Sequence, residues 1–111
     1  MKREKYMDMA ICAYREYAQM LADPARSRIM RADEEAVMIA LSGADDDIEE
    51  AVREIYMAAP FEAITSKKIA ARVKRFAFER HWSEESVWRR LRIARRMYAM
   101  ARGLIEDNGK Q

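Results

Sequence analysis

Apolar residues recur along this chain at helical spacing, and no segment alternates polar and apolar positions long enough to predict a strand. From Lys2 to Leu21, the positions Tyr6, Ala10, Ala13, Tyr17 and Met20 follow one another by four and three, which places them on one helical face with Asp8, Arg15 and Gln19 opposite. Asp23-Pro24 has the form of an N-cap followed by proline at the first helical position, and it predicts a second helix running towards Leu41, with a break near Ala32 and an end at Gly43. A third helix is expected to start in Asp45-Asp46-Asp47, to bury Ile48, Val52 and Ile55, and to stop before Pro60.

Thr65-Ser66 caps a fourth predicted helix, with Ile69, Val73, Phe76 and Ala77 inward and an end near Phe78. After the link Glu79 to Trp82, which holds no glycine, Ser83 caps a long final helix whose stripe is Val87, Leu91, Ala94, Tyr98 and Ala101. The fold class expected is all-α, a compact bundle of about five helices forming one domain. Trp82 is expected to fill the gap between the last two helices, and Trp88 either to wedge against the fourth, the favoured reading, or to stand as an exposed anchor.

Composition narrows the function classes. The single cysteine, Cys12, has no disulfide or zinc partner among cysteines, and as a small hydrophobe it is expected in the core. Charged residues interrupt every apolar run near the N-terminus, so neither a signal peptide nor a membrane span is expected and the cytoplasm is the expected location. Asp45 to Asp47 lack the alternating ligand spacing and distant Glu of a calcium loop, so they are helix caps and no metal or other cofactor is expected. His81, the only histidine, has no evident catalytic partner, and there is no glycine-rich phosphate loop; an enzyme is not expected.

The net charge of +2 conceals an asymmetry. Residues 1–60 carry 8 basic and 13 acidic side chains, whereas residues 61–111 carry 13 basic and 6 acidic. A basic half of this kind points to an anionic partner. On the final helix, steps of about 100° per residue put Arg89, Arg92 and Arg96 opposite the apolar stripe, with Arg90, Arg95 and Arg102 on the flanks, so nearly the whole non-core surface is expected to be cationic. Pairing of these arginines with carboxylates of the acidic half is the competing expectation. Lys67 and Lys68 stand in the first turn of the preceding helix, against the macrodipole, where either a bound phosphate relieves the conflict or exposed lysines bear a minor cost.

The run Ser83-Glu84-Glu85-Ser86-Val87-Trp88, continuing through Leu91 and Ala94 to Tyr98, resembles the recognition helix of sigma-factor C-terminal regions and of phage-type regulators similar to the RinA and ArpU groups. Its carriers are the hydroxyl cap Ser83, the β-branched Val87 four positions later and the far anchor Ala94, within a match spanning residues 60–103. The resemblance implies a DNA-binding transcriptional regulator in which residues 61–111 form a helix-turn-helix-like part, the helix from Ser83 enters the major groove and the helix from Ser66 braces it. It assigns Ser86, Arg89 and Glu85 to base edges, Arg92 and Arg96 to phosphates, and Lys67, Lys68, Lys74 and Arg75 to further backbone contacts. The partners expected are double-stranded DNA and a second copy of the chain, with RNA polymerase as a contact of the acidic residues 1–60. The alternative class is a helical protein-interaction or adaptor module: the second apolar strip Ile93, Met97 and Met100, with Ile11 and Tyr14 on the first helix, is more apolar surface than one seam requires, which means either burial on two sides or a subunit interface.

Overall fold

The computed structural model describes residues 6–22, 27–58 and 65–105, and all of its regular structure is helical. The elements are α1 (Met7–Ala22), α2 (Arg28–Gly43), α3 (Asp46–Ala51) continuing as a π-helical turn (Val52–Tyr56), α4 (Ser66–Arg80) and α5 (Glu84–Arg102). α5 packs against all four other helices, most extensively against α2, so residues from both halves of the chain build one core.

The starts of three helices follow from single hydroxyls. Thr65 Oγ1 accepts the Lys68 N–H at 3.2 Å and Ser83 Oγ accepts the Ser86 N–H at 3.1 Å, as their sequence positions predict. α2 is capped by Ser27, whose Oγ accepts the Met30 N–H at 3.2 Å, while Asp23-Pro24 lies outside the described residues. Asp45 occupies the N-cap of α3 without a side-chain cap bond, so the favourable charge of Asp46, Asp47 and Glu49 in the first turn is what marks that start.

Several boundaries differ from expectation. α2 runs through Ala32 unbroken, because no proline or glycine interrupts its backbone ladder there. It does end at Gly43, with Ala44 extended. α4 continues two residues past Phe78, and its C-terminal cap is His81 in the left-handed conformation at φ 58°, with the Trp82 N–H returning to the Ala77 carbonyl at 3.0 Å. His81 thus does the work usually given to glycine in such a turn. The widened π turn after α3 also has no sequence signal; the Arg72 guanidinium donates to its Ile55 carbonyl at 2.7 Å, tying α4 to it.

The expected stripes of the third and fourth helices, Ile48, Val52 and Ile55 and then Ile69, Val73, Phe76 and Ala77, are all buried. On α5, Val87, Leu91, Ala94 and Tyr98 are buried and Ala101 is half-buried. α1 settles one alternative and departs from expectation at one residue. Ile11 and Tyr14 are buried in the chain's own core, so they offer no surface to a partner, and Cys12 is exposed. The geometry explains both: Ala10, Ala13 and Tyr14 define the inward arc, and Cys12 points nearly opposite to it at about 100° per residue.

At the centre, Tyr14 stacks with Tyr56 and tilts against Tyr98, ring centroids 6.1 Å apart in each case. The Tyr14 hydroxyl donates to the Ala94 carbonyl at 2.6 Å. Burial raises the phenol of Tyr14 well above its ordinary value, and burial together with Asp33 does the same for Tyr98.

Tyr14→Phe, which keeps the ring and removes this bond, is expected to lower stability by about 1–2 kcal/mol in urea denaturation with an unchanged far-ultraviolet spectrum. The unfolded chain releases phenolic protons near pH 10 while the folded chain retains them, so these two tyrosines contribute fully below about pH 10 and their contribution is lost as the pH rises above it. Thermal melts at pH 9 and pH 11 should therefore show a lower midpoint at pH 11, with a smaller drop in Tyr14→Phe.

Candidate nucleic-acid interface

The six arginines of α5 divide into two groups. Arg90, Arg95 and Arg102, expected as a cationic flank, turn inward. Arg95 is only 4 % exposed and its Nη1 donates to the Tyr56 hydroxyl at 2.8 Å. Arg102 Nε donates to Asp33 Oδ1 at 2.8 Å, and the same oxygen accepts the Tyr98 hydroxyl at 2.8 Å. Arg90 donates to Ser86 Oγ at 2.7 Å, reaches Asp47 at 3.3 Å and lies over the Trp82 ring, 4.3 Å from its centroid. The expectation that nearly all of the non-core surface of α5 is cationic is therefore corrected. A long side chain with a planar, multiply donating head can leave the edge of an apolar face and still satisfy itself against inner hydroxyls and carboxylates.

Arg89, Arg92 and Arg96 form the other group and all are exposed. Arg92 has Glu85 3.5 Å away, an open pair in which both side chains remain largely in water. Among the described residues Arg89 and Arg96 have no ion-pair partner. An exposed pair such as Arg92–Glu85 is worth about 0–1 kcal/mol, too little to withhold the guanidinium from a phosphate. Ser86 is half-buried and occupied by Arg90, which separates it from the outward line.

On α4, Lys67, Lys74 and Arg75 are exposed and Lys68 is half-buried. Arg75 stands 3.6 Å from Glu79, again as an open surface pair. Lys67 and Lys74, seven positions apart, share the outward face, directly opposite the buried Ile69, Val73 and Phe76. Phe78 lies on this same face and is 82 % exposed. The wheel of α4 contains the signal, since a helix that buries Phe76 and Ala77 turns Phe78 away from the core.

The two tryptophans hold the basic helices in place. Trp82 fills the turn, its ring 5.7 Å from Phe76 in an edge-on contact. Trp88 is half-buried and packed against the core, and it borders a cavity of about 220 Å3 that is also lined by Ile11 and Cys12 of α1, the cap Thr65, and Ser66 and Ile69 of α4. Arg80, at the end of α4, stacks on Phe76 and joins Glu54 at 2.7 Å and Glu50 at 3.3 Å. These carboxylates, with Asp33 and Asp47, belong to the acidic half, and among the arginines of α4 and α5 it is the inward-turned ones that they neutralise.

Among the described residues no three His, Cys, Asp or Glu side chains are grouped to hold a metal ion, and no helix is long and apolar enough to cross a membrane. Compared with known proteins, no family model, curated protein or solved structure matches the chain.

The division of the arginines makes a test of its own. Arg95→Ala, which opens a void and strips the Tyr56 hydroxyl of a donor, should cost about 2–4 kcal/mol in urea denaturation, whereas Arg89→Gln or Arg96→Gln should stay within about 0.5 kcal/mol of wild type.

Proposed function

We propose that the chain is a DNA-binding transcriptional regulator of the phage type, with α5 as its recognition helix in the major groove of double-stranded DNA. The observation that carries this reading is the outward line of Arg89, Arg92 and Arg96, left available while the other three arginines of α5 are engaged internally. A helix with its side chains is about 10–12 Å across, and the major groove is about 12 Å wide. Arg89 is nearest the N-terminal end of the line and is assigned to a base edge, with guanine the commonest acceptor for such a group; Arg92 and Arg96 are assigned to phosphates. The likeness of Ser83 to Tyr98 to the recognition helices of phage regulators supports the same reading. Two copies are proposed to share one duplex, since Met38 and Ile39 on α2 are exposed apolar side chains of the kind that subunit interfaces cover.

Binding to random duplex DNA across a salt series tests the proposal. Wild type is expected to lose affinity steeply with salt, and the triple replacement Arg89→Gln, Arg92→Gln and Arg96→Gln to bind at least tenfold more weakly, with a log–log slope shallower by about 0.9 for each phosphate that is no longer neutralised. Equal affinity and slope in the two proteins would sink the assignment and favour a helical adaptor. Sedimentation equilibrium at micromolar concentration, with and without duplex, is expected to show a dimer; monomer under both conditions removes the pairing.

A further inference from the structure

Among the described residues Phe78 is the most exposed large apolar side chain, at 82 % against 67 % for Ile29, the next. Its outward position follows from the helix turn, which seats the other aromatic residue there, Phe76, in the core against Trp82 and Arg80. Along α4, Lys67, Ala71, Lys74 and Phe78 follow at spacings of four, three and four, all exposed, so they form one outward stripe. Lys74 and Arg75 stand one helical turn before the ring. Ala71 leaves a low place between the two lysines. Glu79, the carboxylate beside Phe78 in sequence, is drawn to Arg75.

A flat apolar ring amid flexible cations matches a ligand that offers a stackable face and a negative charge in each repeating unit. Nucleic acid with accessible bases has that combination. A duplex interior keeps its bases stacked on each other, so a ring that engages one needs a single strand or a locally opened step.

We propose that Phe78 stacks on a base of bound nucleic acid while Lys67, Lys74 and Arg75 hold the neighbouring phosphates, making α4 a site for single-stranded or locally unstacked DNA. The inference rests on the nucleic-acid reading of the basic half and adds to it a second surface of different preference.

The probe is a fluorescein-labelled dT oligonucleotide, compared with a duplex of the same length and with vesicles containing phosphatidylserine. Phe78→Ala should weaken binding to the single strand roughly ten- to a hundredfold with an unchanged salt slope, the signature of a missing stack beside intact phosphate pairing. Lys67→Gln with Lys74→Gln should instead flatten the slope. Phe78→Trp should retain affinity and add a quenching of tryptophan emission on binding that wild type lacks. Circular dichroism checks that each variant is folded, as a fully surface position leads one to expect. Wild-type binding to the strand that Phe78→Ala leaves untouched overturns this inference alone. Absence of binding to strand and duplex alike overturns it together with the reading it rests on. Vesicle binding that depends on Phe78, without strand binding, assigns the stripe to a lipid surface and overturns it as well.

Discussion

The roll of α5 about its own axis decides what this protein presents to its surroundings, and three tyrosines set that roll. Tyr14 from α1, Tyr56 from the π turn and Tyr98 from α5 itself meet in one aromatic cluster, and each hydroxyl is tied to a fixed point on or beside α5: the Ala94 carbonyl, the Arg95 guanidinium and Asp33. Apolar packing alone tolerates modest rotation, since neighbouring methyl groups exchange places at small cost. Buried hydroxyls do not, because each one turned away from its partner leaves a desolvated polar atom worth about 1–3 kcal/mol. A rotation of one residue, about 100°, breaks all three ties at once and brings Arg92 towards the core.

This constraint gives chemically identical residues different roles. Arg92 and Arg95 are three positions apart, yet one is in water and the other is almost wholly enclosed. Enclosing a guanidinium is costly unless its donors are met, and at Arg95 a tyrosine hydroxyl supplies one acceptor at the place where the helix turns inward. Arg90 and Arg102 are intermediate cases, their stems lying along apolar surface while their heads reach Asp47 and Asp33.

Much of the scaffold was legible because it depends on periodicity and on local capping. The stripes of α3, α4 and α5 are counted directly from residue spacing, and Thr65 and Ser83 cap their helices by accepting N–H bonds from three residues on. The start of α2 shows the limit of that reasoning: its cap is Ser27, which the pattern did not single out, while Asp23-Pro24 lies outside the described residues. The burial of Arg95 was hidden for a different reason. It depends on Tyr56, 39 positions away, and on a π turn whose widening leaves no mark in residue type. Cys12 was misjudged by residue type where its angle on α1 held the better information, and Phe78 was passed over although its angle on α4 placed it opposite the core. For the candidate site, the spacing placed Arg89, Arg92 and Arg96 correctly outward but could not show that their three neighbours are engaged.

The internal pairing also explains how so small a net charge coexists with an open cationic face. Asp33, Asp47, Glu50 and Glu54 lie in the acidic half of the chain and take up Arg102, Arg90 and Arg80 from the basic half. Because the pairing consumes inward-turned arginines first, it does not cancel the outward ones: Arg89 and Arg96 on α5, and Lys67 and Lys74 on α4, retain their charge. Exposed carboxylates stand on several elements, Glu35, Asp45 and Asp46 on α2 and at the start of α3 and also Glu84 and Glu85 in the first turn of α5. The molecule is therefore nearly neutral in sum, while α4 and the outward line of α5 keep a local excess of positive charge. Such a local excess attracts polyanions over a range that added salt shortens, whatever the small net charge of the whole chain.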